Sequence, residues 1–134
     1  MSTIYVPNTG EVYLLEHGLT TDDLTLGLFK NDLSLSHATI LGDITAADFT
    51  GYAEKTLTST LWEYSTLLNK GHAQYEQQNF IAGTIGTECT VYGVYCYESV
   101  GSILVYAEKF DNSVTVNTTG QVVSYIPVIE ASTS

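Results

Sequence analysis

The chain has 134 residues, and its fifteen acidic residues face only four lysines and no arginine, for a formal net charge of −11 at pH 7. A surface so charged is repelled by phosphate backbones and anionic lipid and steers toward cations or basic protein patches, so no nucleic-acid or membrane partner is expected. A chain of this length is expected to fold as one domain with its own core, and no stretch approaches the roughly 20 apolar residues of a membrane span.

The opening Met1-Ser2-Thr3-Ile4-Tyr5-Val6-Pro7 has neither a basic start nor an apolar core. No secretory signal is therefore expected, and synthesis in a cytoplasm without export by that route is. Pro7-Asn8-Thr9-Gly10 reads as a turn. Thr9 caps a short predicted helix over residues 11–17, which sets Val12, Leu15 and Leu19 on one side and stops at Gly18. Residues 24–30 predict a strand with Leu24, Leu26 and Leu28 on one face. Residues 31–43 read as loop and residues 45–48 as one helical turn.

From Tyr52 onward β-branched and aromatic residues suit a pleated, half-buried surface. Strands are predicted over residues 52–57 and 61–64, joined as a hairpin by Thr58-Ser59-Thr60. Residues 74–80 form a polar strand of the kind found at a sheet edge or interface. Strands over residues 90–97 and 102–110 flank a second hairpin turn, Glu98-Ser99-Val100-Gly101, with Gly101 supplying the permissive backbone. A turn at Asn112 leads into residues 114–116, and Gly120 opens a last strand to Ile129. Pro127 cannot donate to a ladder, so that strand ends there or lies on an edge. About seven or eight short strands at this spacing predict an all-β chain, residues 1–134 forming a single-domain β-sandwich or jelly-roll-like barrel with a short N-terminal helix.

The residues that carry chemistry elsewhere are present here without the spacing that chemistry needs. Cys89 and Cys96 lie in one predicted strand, on opposite faces and roughly 23 Å apart at about 3.3 Å per residue, while a disulfide needs Cα atoms within roughly 7 Å. Two reduced cysteines packed as small hydrophobes are expected. His17, His37 and His72 are each isolated, and Asp22-Asp23 lacks the rest of a calcium loop, so no metal site is expected. Glu54 and Glu63 fall on consecutive predicted strands, which satisfies the spacing of a hydrolase pair too cheaply to signal one. There is no Gly-x-Ser-x-Gly elbow, and Gly83-Thr84-Ile85-Gly86 lacks the lysine of a phosphate loop. No catalytic residue, no cofactor and no enzymatic activity are expected.

Ten tyrosines are the remaining feature. In the strand over residues 90–97, Val91, Gly93, Tyr95 and Tyr97 share one face and Tyr92, Val94 and Cys96 the other. Both faces are apolar or aromatic, so one belongs in the core and the other is covered by a second layer or another subunit. Tyr92, Tyr95, Tyr97 and Tyr106, with Gln74, Tyr75, Gln77, Gln78 and Phe80 of the polar strand, are therefore the candidate subunit or partner contacts. Glycan stacking on Trp62 and exposed tyrosines is the alternative use.

Six segments stand in this order: Pro7-Asn8-Thr9-Gly10-Glu11 with Leu14-Leu15, Leu24-Thr25-Leu26-Gly27-Leu28-Phe29-Lys30-Asn31-Asp32, Gly51-Tyr52-Ala53-Glu54-Lys55-Thr56-Leu57, Ala73-Gln74-Tyr75-Glu76-Gln77-Gln78-Asn79-Phe80, Val91-Tyr92-Gly93 and Ala107-Glu108-Lys109-Phe110. Together they resemble the small virion structural proteins of tailed bacteriophages, the head decoration (cement) or tail-associated type. The resemblance spans nearly the whole chain and consists of strand and turn patterns, with no catalytic residue to carry over. It implies a capsid decoration protein, assembled in the host bacterial cytoplasm, that binds the major capsid protein on the outer surface of the virion head. It further implies a homo-oligomer, expected as a trimer. A tail-associated structural or host-glycan-binding adhesion module is the alternative it leaves.

Overall fold

Alternating leucines set the first long strand. The computed structural model describes residues 4–7, 10, 13–14, 18–19, 22–67 and 70–131. Among them ten strands follow one another: β1 (Ile4–Tyr5), β2 (Leu24–Phe29), β3 (Lys55–Leu57), β4 (Glu63–Leu67), β5 (Lys70–Gln74), β6 (Gln78–Ile81), β7 (Cys89–Glu98), β8 (Ile103–Val116), β9 (Val122–Tyr125) and β10 (Val128–Ala131). All pairings are antiparallel, and the chain is all-β. One sheet has the order β1-β8-β7-β2-β3. Opposite it lie a three-stranded sheet, β10-β5-β4, and the pair β6-β9.

The two smaller sheets are one interrupted ribbon. Gln74 opposes Val128 in the first and Gln78 opposes Tyr125 in the second. Between them the Tyr75 amide donates to the Pro127 carbonyl at 2.9 Å. Pro127 has no N–H to return, so the ladder breaks there. The strand expected over residues 74–80 is thus two strands, and the last strand divides at the same point.

The core lies between the two layers. Leu24, Leu26, Leu28, Val94, Cys96, Val105 and Tyr106 of the larger sheet pack with Trp62, Ala73, Tyr75, Phe80, Val123, Tyr125 and Ile129 of the ribbon side. At its centre the Tyr125 hydroxyl lies 3.4 Å from that of Tyr106 and donates to Glu108 Oε1 at 2.9 Å, which keeps two buried phenols satisfied.

A second cluster occupies the other side of the larger sheet. Phe29, Tyr95, Leu104 and Ala107 are buried there, with Leu33, Leu35, Leu41, Ile44, Tyr92 and Tyr97 packed against them. Residues 30–47 therefore cross this face. They are pinned by an isolated bridge between Phe29 and Ala46, by the Lys30 amide on the Thr45 carbonyl at 2.8 Å, and by Asn31. The Asn31 side chain donates to the Asp43 carbonyl at 2.9 Å and accepts from the Thr45 amide at 3.0 Å. Burial on both sides explains why β2 reads as nearly continuous hydrophobe.

Several local expectations change. β3 and β4 do not form a hairpin, because β3 pairs with β2 and β4 with β5. Between them Ser59–Leu61 is a 3-10 turn that moves the chain from one layer to the other. It is held by Thr58 donating to the Tyr75 hydroxyl and Ser59 donating to Asp23, each at 2.9 Å. Residues 45–48 are extended, drawn into the Phe29 bridge, and make no helical turn. The β7–β8 turn forms where expected, but Ser102 takes the positive φ, 53°, in place of Gly101. Its stabiliser is Glu98, whose buried carboxylate accepts from the Val100 and Gly101 amides at 2.6 and 2.8 Å. β8 runs through Asn112 without a turn, and the extra residues are absorbed by a register shift opposite Val91 and Gly93. The helix expected over residues 11–17 falls largely outside the described residues.

That register shift also corrects the assignment of faces. Val91 joins Val94 and Cys96 on the core side, while Tyr92 packs with Tyr95 and Tyr97 on the other. Cys89 and Cys96 are both free thiols packed against the same core cluster, and not on opposite faces. Burial pushes the Cys96 thiol up, which keeps it protonated and inert.

Candidate interaction surface

Two glycines make room for the aromatic side of the larger sheet. A Cβ on Gly27 would stand 2.4 Å from the Tyr95 ring, and one on Gly93 would stand 2.7 Å from the Phe29 ring and 2.2 Å from the Glu108 carbonyl oxygen. The rings therefore lie flat across β2 and β7 at positions only glycine permits. Tyr95 and Tyr97 stack with centroids 5.8 Å apart and an interplanar angle of 18°. Their hydroxyls both donate to the Glu54 carboxylate, at 2.5 and 2.9 Å. Tyr52, which accepts from the Leu28 amide at 3.0 Å, shares a hydrogen bond with Tyr95.

Burial, reinforced by the bonds to Glu54, pushes the Tyr97 phenol up to about 12 and the Tyr95 phenol higher still. Both remain donors at neutral pH, so the exposed carboxylate is fixed on an aromatic base. With Leu41, Ile44, Ala46, Ser99 and Ser102, these residues line a shallow depression of about 390 Å³. Of the exposed acids on residues 30–54, Glu54 lines it, while Asp32, Asp43 and Asp48 belong to the segment that supplies Leu41, Ile44 and Ala46. Lys30 pairs with Asp48 at 2.6 Å and Lys109 pairs with Asp32. Asp43 caps its own turn by accepting from the Ile40 amide at 3.0 Å.

The residues expected as partner contacts separate into two groups. Gln74 and Gln77 are exposed, and Gln78, Tyr92 and Tyr97 are half-buried. Tyr75, Phe80, Tyr95 and Tyr106 are buried inside the chain itself and present no side-chain surface to a partner. The physical reason is the same in each case. Tyr75 packs edge-on to Trp62, Phe80 stacks near Tyr52, Tyr95 lies beneath residues 30–47, and Tyr106 fills the sandwich centre. The second layer expected over the tyrosine face is supplied by this chain's own loop.

The sequence reading missed the outward side of the ribbon. Along β6 and β9, Phe80, Val123 and Tyr125 point into the core, while Asn79, Ile81, Val122 and Ser124 are exposed. Ile81 and Val122 are cross-strand partners, 57% and 48% exposed, and Ile126 beyond them is 45% exposed. The signal that locates this face was the complete absence of charged residues from residues 77–87 and 112–129.

Other chemistry finds no assembled site. Among the described residues no group of three or more His, Cys, Asp or Glu side chains is placed to hold a metal. Glu54 and Glu63 belong to different layers and line different depressions. Trp62 is buried, with no hydrogen-bond partner for its indole N–H among the described residues, and offers no surface for stacking a sugar. No described helix is long and apolar enough to cross a membrane. Comparisons with protein-family models, with curated proteins and with solved structures found no match for this chain.

Proposed function

We propose that this protein is a structural component of a tailed-bacteriophage virion, a head decoration protein that stabilises the assembled shell by binding the major capsid protein. The observation that carries the reading is the acid-bearing outward side of the larger sheet, where Glu54 is held by Tyr95 and Tyr97 and the covering segment carries exposed Asp43 and Asp48. Such a face suits basic patches on a protein and is repelled by packaged DNA, which favours the outer shell surface. Binding the assembled shell in preference to its free subunits stabilises it by linkage, with no catalytic step and no cofactor. The chain acts as a homo-oligomer, taken as a trimer at a symmetry axis of the shell. The resemblance of its segments to virion proteins supports the same reading. The alternative of a tail-associated, glycan-binding module is weakened by the burial of Trp62.

The test is to add purified protein to heads that lack it. Saturable co-sedimentation is expected, with a rise in the melting temperature of the shell and weakening as salt is raised. Failure to bind heads at low salt, or preferential binding to DNA, contradicts the proposal.

A further inference from the structure

The outward side of the β6–β9 pair carries no charged residue. Charged residues make up 14% of the chain. An even spread would put about four of them in residues 77–87 and 112–129, and there are none. These two stretches are far apart in sequence, yet the β6–β9 pairing brings them side by side: Asn79 opposes Ser124 and Ile81 opposes Val122. The neutrality therefore extends across both strands of the β6–β9 pair. Three exposed large apolar side chains, Ile81, Val122 and Ile126, belong to it.

The face is also rigid and internally satisfied. Asn79 Oδ1 accepts from Ser124 Oγ at 2.7 Å and from Gln77 Nε2 at 3.0 Å. In the loop before β9, Gln121 Oε1 accepts from the Asn117 and Thr118 amides at 3.1 and 3.3 Å, while Gln121 Nε2 donates to the Thr115 carbonyl at 3.0 Å. Thr119 Oγ1 accepts from the Ile85 amide at 3.1 Å, tying that loop to the one after β6. Polar atoms already paired within the face lose little on desolvation, and a pre-ordered face loses little entropy on docking.

We infer that a second copy of this chain packs on this face, in a contact built on Ile81, Val122 and Ile126 of each copy. Charge decides the occupant. At a net charge of −11, contact between copies across acid-bearing surface sets like charges against each other. The neutral strip escapes that repulsion, and a basic partner gains nothing electrostatic by docking there. The contact stands apart from the capsid reading, and only the copy number of three rests on it.

Sedimentation velocity over a range of protein and salt concentrations tests the inference. The wild-type chain is expected to self-associate more tightly as salt rises, because screening relieves repulsion between the acids that remain on each copy. Binding to heads weakens under the same change, so the two readings fail separately. Val122→Asp is expected to weaken self-association about tenfold or more, by placing a charge in an apolar contact, while Glu63→Gln leaves it unchanged. In case Val122→Asp does not fold, amide exchange of the wild type at high and low concentration reads the contact directly. Protection is expected within residues 77–87 and 117–126. A wild-type monomer at all concentrations, a folded Val122→Asp that associates as wild type does, or concentration-dependent protection confined to other segments overturns it.

Discussion

On the larger sheet the outward side of β2, β7 and β8 is covered by residues 30–47 of the same chain, whereas the outward side of β6 and β9 leaves Ile81, Val122 and Ile126 open to solvent. Both are apolar sheet faces, so hydrophobicity alone does not say which one awaits a partner. The difference lies in what surrounds them. The covered face is capped by a loop bearing Asp32, Asp43 and Asp48, with Glu54 beside it, and its own leucines satisfy the aromatic surface beneath. Among the described residues the open face has no charge and no local segment over it. Two-sided burial within one chain serves stability, and one-sided exposure of a neutral strip is what the proposed self-association would use.

Substitutions on the two faces should therefore separate by magnitude. Phe29→Ala, which empties the centre of the covered face, is expected to cost about 3–5 kcal/mol in urea unfolding. A loss under about 1 kcal/mol would mean that residues 30–47 do not pack there. Gly93→Ala forces a methyl toward a backbone oxygen at 2.2 Å and the Phe29 ring, and about 3 kcal/mol is expected by the same measurement. Glu98→Ala removes a buried carboxylate from two turn amides and is expected to cost about 2–3 kcal/mol. On the open face, Ile81→Ser should leave monomer stability within about 0.5 kcal/mol of wild type. A large loss there would show that Ile81 belongs to the core and collapse the distinction.

Alkaline pH sharpens the same contrast, because the hydrogen-bonded Tyr95 and Tyr97 lie only on the covered side. A free tyrosine titrates near 10, and burial with the Glu54 bond raises Tyr97 to about 12. The folded state then holds the proton more tightly than the unfolded state. The stabilisation is complete below about pH 10 and is lost as pH rises from there through about 12. Denaturation across that window should show a shallower loss for Tyr97→Phe than for wild type. Equal slopes would remove Tyr97 from the network.

Much of the larger sheet was legible in the sequence. Leu24, Leu26 and Leu28 gave β2 its face, and the tyrosine-rich run through Cys96 announced a strand buried on both sides. What sequence periodicity did not reveal depended on distant residues. The break between β5 and β6 is imposed by Pro127, some fifty residues later. Tyr92 changes face because β8 carries extra residues opposite it. Leu33 and Leu35 are loop, as expected, but their packing depends on the sheet they cross. The expected partner contacts are six aromatic residues and three glutamines, and four of the aromatic ones, Tyr75, Phe80, Tyr95 and Tyr106, are interior. Charge segregation, which composition averages away, marked the open face instead.

The proposal that the protein acts by being held in an assembly is tested most directly by a cryo-electron-microscopic map of the bacteriophage particles proposed to carry it. The account predicts density for the chain on the outer shell, copies touching through the β6–β9 strip and the Glu54 side set against basic residues of the capsid protein. Virions that lack the chain, or that hold it on the inner shell surface against DNA, would contradict it.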